Sequence, residues 1–199
     1  MSFFKVTIFA ALVVPTATAP NARLLGVAAS GTTPYVLGAL RSAKKHGAVT
    51  IGVTCNRHSP LAREPRIAIA TETGPEAISG STRLKAGTAQ KMVLNMLSTG
   101  AMVRLGRVYD HWMIHMALSN AKLRRRGVRI LEEAGEVASS AAEHALRQAR
   151  HDLPAALVML KTGATLREAQ RLLKIARGNV REAIRAAKLA REKSRIKKR

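Results

Sequence analysis

The sequence predicts an α/β protein: a partial parallel sheet flanked by helices, followed by a small C-terminal helical bundle. Three observations predict it. Short apolar runs alternate with a helical stretch between residues 24 and 70, the last third has helical periodicity with an internal repeat, and apolar residues reach 47% of the 199. That apolar content suffices for a core and excludes wholesale disorder. The length allows one ordinary domain, or one and a small satellite.

The elements follow in order. Leu24–Ala29 is a short apolar run that stops at Ser30-Gly31-Thr32-Thr33-Pro34. Tyr35–Lys45 reads as a helix with Val36, Leu37 and Leu40 on one face, Gly47 ends it, and Val49–Thr54 is the next strand. Strand, helix and strand in so short a stretch make a βαβ unit with parallel strands. A third strand, Arg66–Ala70, comes after a loop from Asn56 to Arg63. Fully apolar runs imply burial on both sheet faces. Between Met92 and Val103 a long helix is apolar nearly all round, which predicts a central, buried helix. Met116, Leu123, Gly127, Ile130, Leu131 and Ala134 then share one helical face, opposite Arg124, Arg125 and Arg126.

Beyond that helix the chain repeats at an offset of 27: Ala149–Leu157 parallels Ala176–Ile184. Asp152 and Asn179 fall at equivalent helix starts and read as N-caps. Each unit is a helix–turn–helix that cannot bury its apolar face alone, so the two are expected to pack together.

Charge is the oddity of the composition: 34 Lys and Arg against 12 Asp and Glu give +22. The last fifteen residues hold eight basic groups and one acid. Such a field favours anionic partners, whether phosphorylated metabolites, nucleic acid or acidic surfaces. Aromatics are 3%, too few for base-stacking platforms. The single Cys55 excludes a disulfide scaffold and a cysteine-based zinc site. The histidines are scattered; His111 and His115, spaced as one helical turn, lack a third ligand, so no metal site and no cofactor are expected.

Two segments carry chemistry. Ser30, Gly31, Thr32 and Thr33 lie where a strand ends and a helix begins, with Pro34 at the first helical position. Free N–H groups, the positive end of the helix dipole and three hydroxyls there suit a phosphate. Ordinary N-capping explains the same pattern without a ligand. The second segment, Gly74–Lys91, crosses a hydroxyl-rich helix start at Ser79, Ser81 and Thr82 and adds Arg83 and Lys85. Glu76, beside a Gly-Pro turn, could serve proton transfer or sugar hydroxyls, but the residues alone favour a salt bridge to Arg83 or Lys85.

Together these segments resemble the N-acetylmuramic acid 6-phosphate etherase family of the SIS (sugar isomerase) superfamily, related to the glucokinase regulatory protein. Gly74–Lys91 matches the signature nearly throughout. Val27–Gly31 with Thr33–Val36 matches a sugar-phosphate loop, and Val93–Thr99 also agrees. The resemblance runs from about Leu24 to Ile184. It departs at Thr32, where the family usually has Arg, and at His115 and Ala121, where acids are usual. It implies a SIS-type sheet and a sugar-phosphate ligand held by Ser30, Gly31, Thr32, Thr33, Glu76, Ser79, Ser81, Thr82, Arg83 and Lys85. It also implies a homodimer, a cytoplasmic setting and a helical bundle likened to ubiquitin-associated domains. The family's reaction is cleavage of the lactyl ether, by elimination and water addition, to N-acetylglucosamine 6-phosphate and D-lactate. Its two catalytic glutamates lie in an N-terminal half without counterpart here, so no residue is assigned as catalytic, and calling Glu72 or Glu76 catalytic would be a guess. A noncatalytic sugar-phosphate regulator or inactive fragment is the alternative.

The expected organisation is residues 1–20 as a signal-like or substitute edge-strand segment, 21–115 as the C-terminal half of a SIS domain, 116–186 as the helical bundle and 187–199 as a basic tail. Lys5 followed by the apolar Val6–Val14 and Ala17-Thr18-Ala19 fits an export signal. The β-branched Val6-Thr7-Ile8 fits a strand instead, and an accidental upstream sequence of a gene fragment is the third reading. No segment is long enough for a transmembrane span. Nucleic acid or an acidic surface would be reached only through the basic tail.

Overall fold

The computed structural model describes residues 22–196. The segment 1–20 and the final residues of the basic tail lie outside the described residues. The chain divides between Leu97 and Ser98 into two compact units.

The first unit is built on β1 (Arg23–Val27), β2 (Val49–Thr54) and β3 (Ile67–Ala70), all parallel with β2 in the centre. Helix α1 (Pro34–Lys45) joins β1 to β2, and a single turn, α2 (Pro60–Arg63), joins β2 to β3 inside the stretch expected to be a plain loop. Pro60 at its first position supplies the helical φ in advance. Gly26 and Gly52 are register partners, and both stand beneath helices. A Cβ on Gly26 would meet Leu40 and Val36 at 2.8 Å, and one on Gly52 would meet the Leu61 carbonyl at 2.5 Å. Their bare backbone lets both helices close onto one face, where Leu37, Leu40 and Leu61 form a buried cluster. Arg41 Nε donates to Glu64 at 2.7 Å and links the two helices at the surface.

The opposite face carries Leu25, Ile51 and Ile67 in one row and Val27, Val53 and Ile69 in the next. Val53 is fully buried, but Ile67 is 47% exposed and the others are half-buried. Burial on both faces, expected from the apolar runs, therefore holds for one. Both connecting helices land on the glycine side, leaving the β-branched side partly open. Helix α3 (Lys85–Arg104) corrects a second expectation. It is apolar nearly all round, yet only Ala86 and Val93 are buried, and Met92 and Met96 are 57% and 62% exposed. Among the described residues nothing covers them.

The second unit opens with a hairpin that helical spacing missed: β4 (Val108–Tyr109) pairs antiparallel with β5 (Trp112–Met113). Asp110, at φ +51°, turns the chain. His111 and His115 are therefore not a helical turn apart, and Met116 lies in the connection ahead of the next helix. That helix, α4 (Ala121–Gly135), starts at Asn120, whose side chain accepts from the Leu123 amide at 2.9 Å. Gly127, Ile130, Leu131 and Ala134 are buried and Arg124, Arg125 and Arg126 exposed, as the periodicity predicts.

The repeat is a structural one. Helices α5 (Ser139–Gln148) and α6 (Leu153–Thr162) recur, 27 residues on, as α7 (Leu166–Ile175) and the first turns of α8 (Val180–Ile196). Each pair is joined by the same turn. Arg150 and His151 at φ +53° and +63° correspond to Arg177 and Gly178 at +52° and +87°. The amides of His151 and Gly178 return to the Leu146 and Leu173 carbonyls at 3.0 and 2.7 Å, a Schellman closure in both copies. Asp152 and Asn179 then cap the next helices by accepting from Ala155 and Glu182 at 3.2 Å, each cap being worth about 1 kcal/mol. Equivalent residues fill one shared core: Ala142 with Ala169, Leu146 with Leu173, Leu153 with Val180, Ala156 with Ala183 and Leu157 with Ile184.

His115 ties the hairpin strand to the second turn. Its Nε2 donates to the Gly178 carbonyl at 2.8 Å, and its Nδ1 accepts from Arg107 Nη1 at 2.9 Å. Burial holds the imidazole pKa below its ordinary value; the Gly178 carbonyl and Asp152 oppose that, and Arg107 adds to it. The folded unit thus takes up the proton less readily than the unfolded chain. Its stability is complete above the ordinary imidazole pKa of about 6.5 and declines as pH falls through that value toward the lower folded one. Urea midpoints measured from pH 7.5 to 5 are expected to fall with acidification, and His115→Gln is expected to flatten that slope. An unchanged slope in the variant would remove His115 as its cause.

Candidate sugar-phosphate site

The carboxyl ends of the three parallel strands converge, as they do where ligands bind in open α/β sheets. The Ala28 amide donates to the Val53 carbonyl, Cys55 to Ala29, and Thr71 to Thr54, all within 3.0 Å. Thr54 is buried, and its Oγ1 donates to the Ala29 carbonyl at 3.2 Å. Cys55 Sγ lies 3.9 Å from the Ala86 carbonyl in the first turn of α3. The Ser30 loop and the α3 start therefore share this end of the sheet, on either side of Cys55.

Gly31 fixes the first loop. It sits at φ +70°, a left-handed conformation that costs an L-residue ~1–2 kcal/mol. A Cβ there would lie 2.0 Å from Ser59 Oγ and 2.6 Å from Thr54 Oγ1. Ser59 is itself held down, donating to the Asn56 carbonyl at 2.7 Å, and the Leu61 amide donates to the Gly31 carbonyl at 3.1 Å. Gly31 is thus wedged against a buried hydroxyl floor. Thr54 and Ser59 build that floor, braced by the backbone of the exposed Asn56, and sequence reasoning passed over them. The signal was available as a polar strand end followed by Asn and then Ser before Pro60.

Above the floor the hydroxyls are open. Ser30, Thr32 and Thr33 are exposed. Ser30 Oγ accepts from the Thr32 amide at 3.3 Å and from Thr32 Oγ1 at 3.1 Å. Thr33 is the N-cap of α1, yet its side chain makes no capping hydrogen bond. Ordinary side-chain capping is thus not what this loop does. Pro34 has no N–H, and the Tyr35 and Val36 amides have no intrahelical acceptor at this end of the helix. These donors, the positive end of the dipole and three hydroxyls make a seat for an anion.

The second helix start is different, because the protein supplies its own anion. Glu76 Oε2 accepts from the Lys85 amide at 3.0 Å and Oε1 from the Ala86 amide at 3.1 Å. These backbone donors hold the Glu76 carboxyl below the usual carboxylate range. The expected salt bridge to Arg83 or Lys85 does not form; Lys85 Nζ donates instead to the Pro75 carbonyl at 2.9 Å. Ser79, Ser81, Thr82 and Arg83 lie in the turn ahead of α3, bent by Gly80 at φ +81° and by the Ser81 amide donating to the Ile78 carbonyl. Ser81 is half-buried and the rest are exposed. Glu72 is ion-paired with Arg57 at 3.2 Å. Among the described residues, no cluster of His, Cys, Asp and Glu has the makings of a metal site.

Two outcomes are expected. Gly31→Ala lowers the urea midpoint, because the methyl group must displace Ser59 and the backbone is strained; stability equal to the parent would overturn the wedge. Glu76→Ala lowers the Tm at pH 7, and the difference from the parent shrinks on acidification. A carboxylate with a depressed pKa contributes above its ordinary pKa, and that contribution goes as pH falls through the folded value. Melting curves at pH 7 and pH 3 check both parts.

The SIS domain family model matches residues 16–100. N-acetylmuramic acid 6-phosphate etherase of Yersinia pestis (strain Pestoides F) is 49% identical over 161 residues, 81% of this chain and 55% of that protein. The protein of the same name from Yersinia pseudotuberculosis serotype O:1b (strain IP 31758) matches to the same degree. The chain spans about half the length of the curated relatives it matches. The parallel sheet and this identity agree: over the aligned residues the chain is similar to N-acetylmuramic acid 6-phosphate etherases, and residues 16–100 match the SIS domain.

Proposed function

We propose that this chain provides the phosphate- and sugar-binding part of an etherase site for N-acetylmuramic acid 6-phosphate. The carrying observation is the uncapped start of α1, held open by Gly31 over Ser59 at the carboxyl end of the sheet. On this reading the phosphate sits on the Ser30–Thr33 loop. Ser79, Ser81, Thr82 and Arg83 meet the sugar's hydroxyl and amide groups. Glu76 and Lys85 act chiefly by fixing the loop that presents them. On the same reading the first unit, to Leu97, carries the C-terminal half of the SIS sheet, and the hairpin from Val108 goes with the helical bundle.

The reaction served is cleavage of the lactyl ether to N-acetylglucosamine 6-phosphate and D-lactate. Glu76 is engaged on the α3 amides and Glu72 on Arg57. The reading accordingly assigns ligand recognition to this chain and no proton-transfer role to Glu72 or Glu76. Self-association belongs to the same reading and is supported by the exposed Met92, Met96 and Leu97 of α3. The cytoplasmic setting follows from the family alone. No helix among the described residues is long and apolar enough to cross a membrane.

Isothermal titration of the chain with N-acetylglucosamine 6-phosphate, and with N-acetylglucosamine as control, tests the proposal. Heat is expected from the phosphorylated sugar alone. Ser30→Ala is expected to weaken binding about tenfold or more, the scale of one hydrogen bond to a charged group, with the Tm retained. Equal affinity for both sugars, or no heat from either, would overturn it.

A further inference from the structure

The second unit carries a groove of about 580 Å³ between α4 and α5 that sugar-phosphate binding does not use. Val128 and the buried Leu146 form an aliphatic floor, and Arg124, Arg125, Arg129 and Arg147 stand along the rim. Two carboxylates also line it. Glu143 is paired with Arg147 at 3.3 Å, and Arg129 pairs outside the groove with Glu133 at 2.9 Å. Arg124 and Arg125 belong to no ion pair among the described residues. The exposed Lys122, Arg126 and Arg150 extend the positive field beyond the rim.

An aliphatic floor under a cationic rim has a matching shape in a partner: apolar side chains at helical spacing flanked by carboxylates. A nucleic acid fits less well. No Phe, Tyr or Trp lines the groove for a base to stack on, His151 offers a single imidazole, and Glu132 and Glu143 in its walls repel phosphates. The chain offers no such segment of its own. Among its 12 acids those three or four residues apart are Glu132, Glu133 and Glu136, in and just after α4 itself, and Glu72 and Glu76, in a loop. We propose that the α4–α5 groove docks an acidic amphipathic segment of another protein, with its apolar face on Val128 and Leu146 and its carboxylates on Arg124 and Arg125.

The test is fluorescence anisotropy on the full chain with three labelled probes of matched charge. These are an amphipathic Glu/Leu peptide, a peptide of the same composition with its periodicity scrambled, and a single-stranded DNA oligonucleotide. The amphipathic peptide is expected to bind about tenfold tighter than either control. The double variant Arg124→Glu, Arg125→Glu and, separately, Val128→Asp are each expected to lose about tenfold for that peptide while circular dichroism melts stay cooperative. Should Val128→Asp unfold the unit, the double variant at exposed positions carries the test. Equal binding of the scrambled peptide would reduce the groove to general electrostatic attraction. Tighter binding of DNA, or an unaffected double variant, would likewise overturn the proposal.

Discussion

The first unit depends on a steric constraint: at Gly31 the backbone passes so close to the Ser59 hydroxyl that no side chain fits between them. The close approach and the left-handed φ act together. The first brings the β1–α1 connection down onto Thr54 and Ser59, and the second turns the chain outward so that Ser30, Thr32 and Thr33 stand above it. A larger residue would lift the loop off its floor and re-aim the first turn of α1. The chemistry of this end of the sheet therefore rests on an absent side chain and on the polar groups packed into the space it leaves.

The two helix starts at this end solve one electrostatic problem in opposite ways. Both begin with unpaired amides and a positive dipole end. At α3 the Glu76 carboxylate accepts from two of those amides and holds the preceding loop against the helix. At α1 no side chain does so, and Pro34 removes a donor that would otherwise need one. One end is closed by a carboxylate of the protein and the other is not capped by the Thr33 side chain. This difference leaves the open amides on the β1–α1 side and amides already engaged by Glu76 on the α3 side.

Much of this architecture was legible in the sequence where local rules and tertiary packing agree. The βαβ order, the Asp152 and Asn179 caps and the buried face of α4 all follow from turn chemistry and periodicity. The readings that failed share a cause. Apolar runs at Leu25, Ile51 and Ile67 and in α3 state what a segment is suited to bury, not which element arrives to cover it. The hairpin at Asp110 escaped notice because the turn uses a non-glycine residue at positive φ, and a four-residue histidine spacing mimics a helix. Glu76 was visible as a carboxylate beside two cations. Its real partners are backbone amides, which no side-chain pattern reveals.

The half-covered sheet face and the charge of +22 belong to one colloidal balance. Among the described residues β1 and β3 are the edge strands, and a β-branched surface so bounded is adhesive toward its own kind. Like charge keeps copies of such a molecule apart in dilute electrolyte. Ions that shorten the repulsion to a Debye length of about 8 Å near physiological strength weaken that protection at the separations where the apolar rows first meet. The net charge thus makes the approach of two such copies depend on ionic strength.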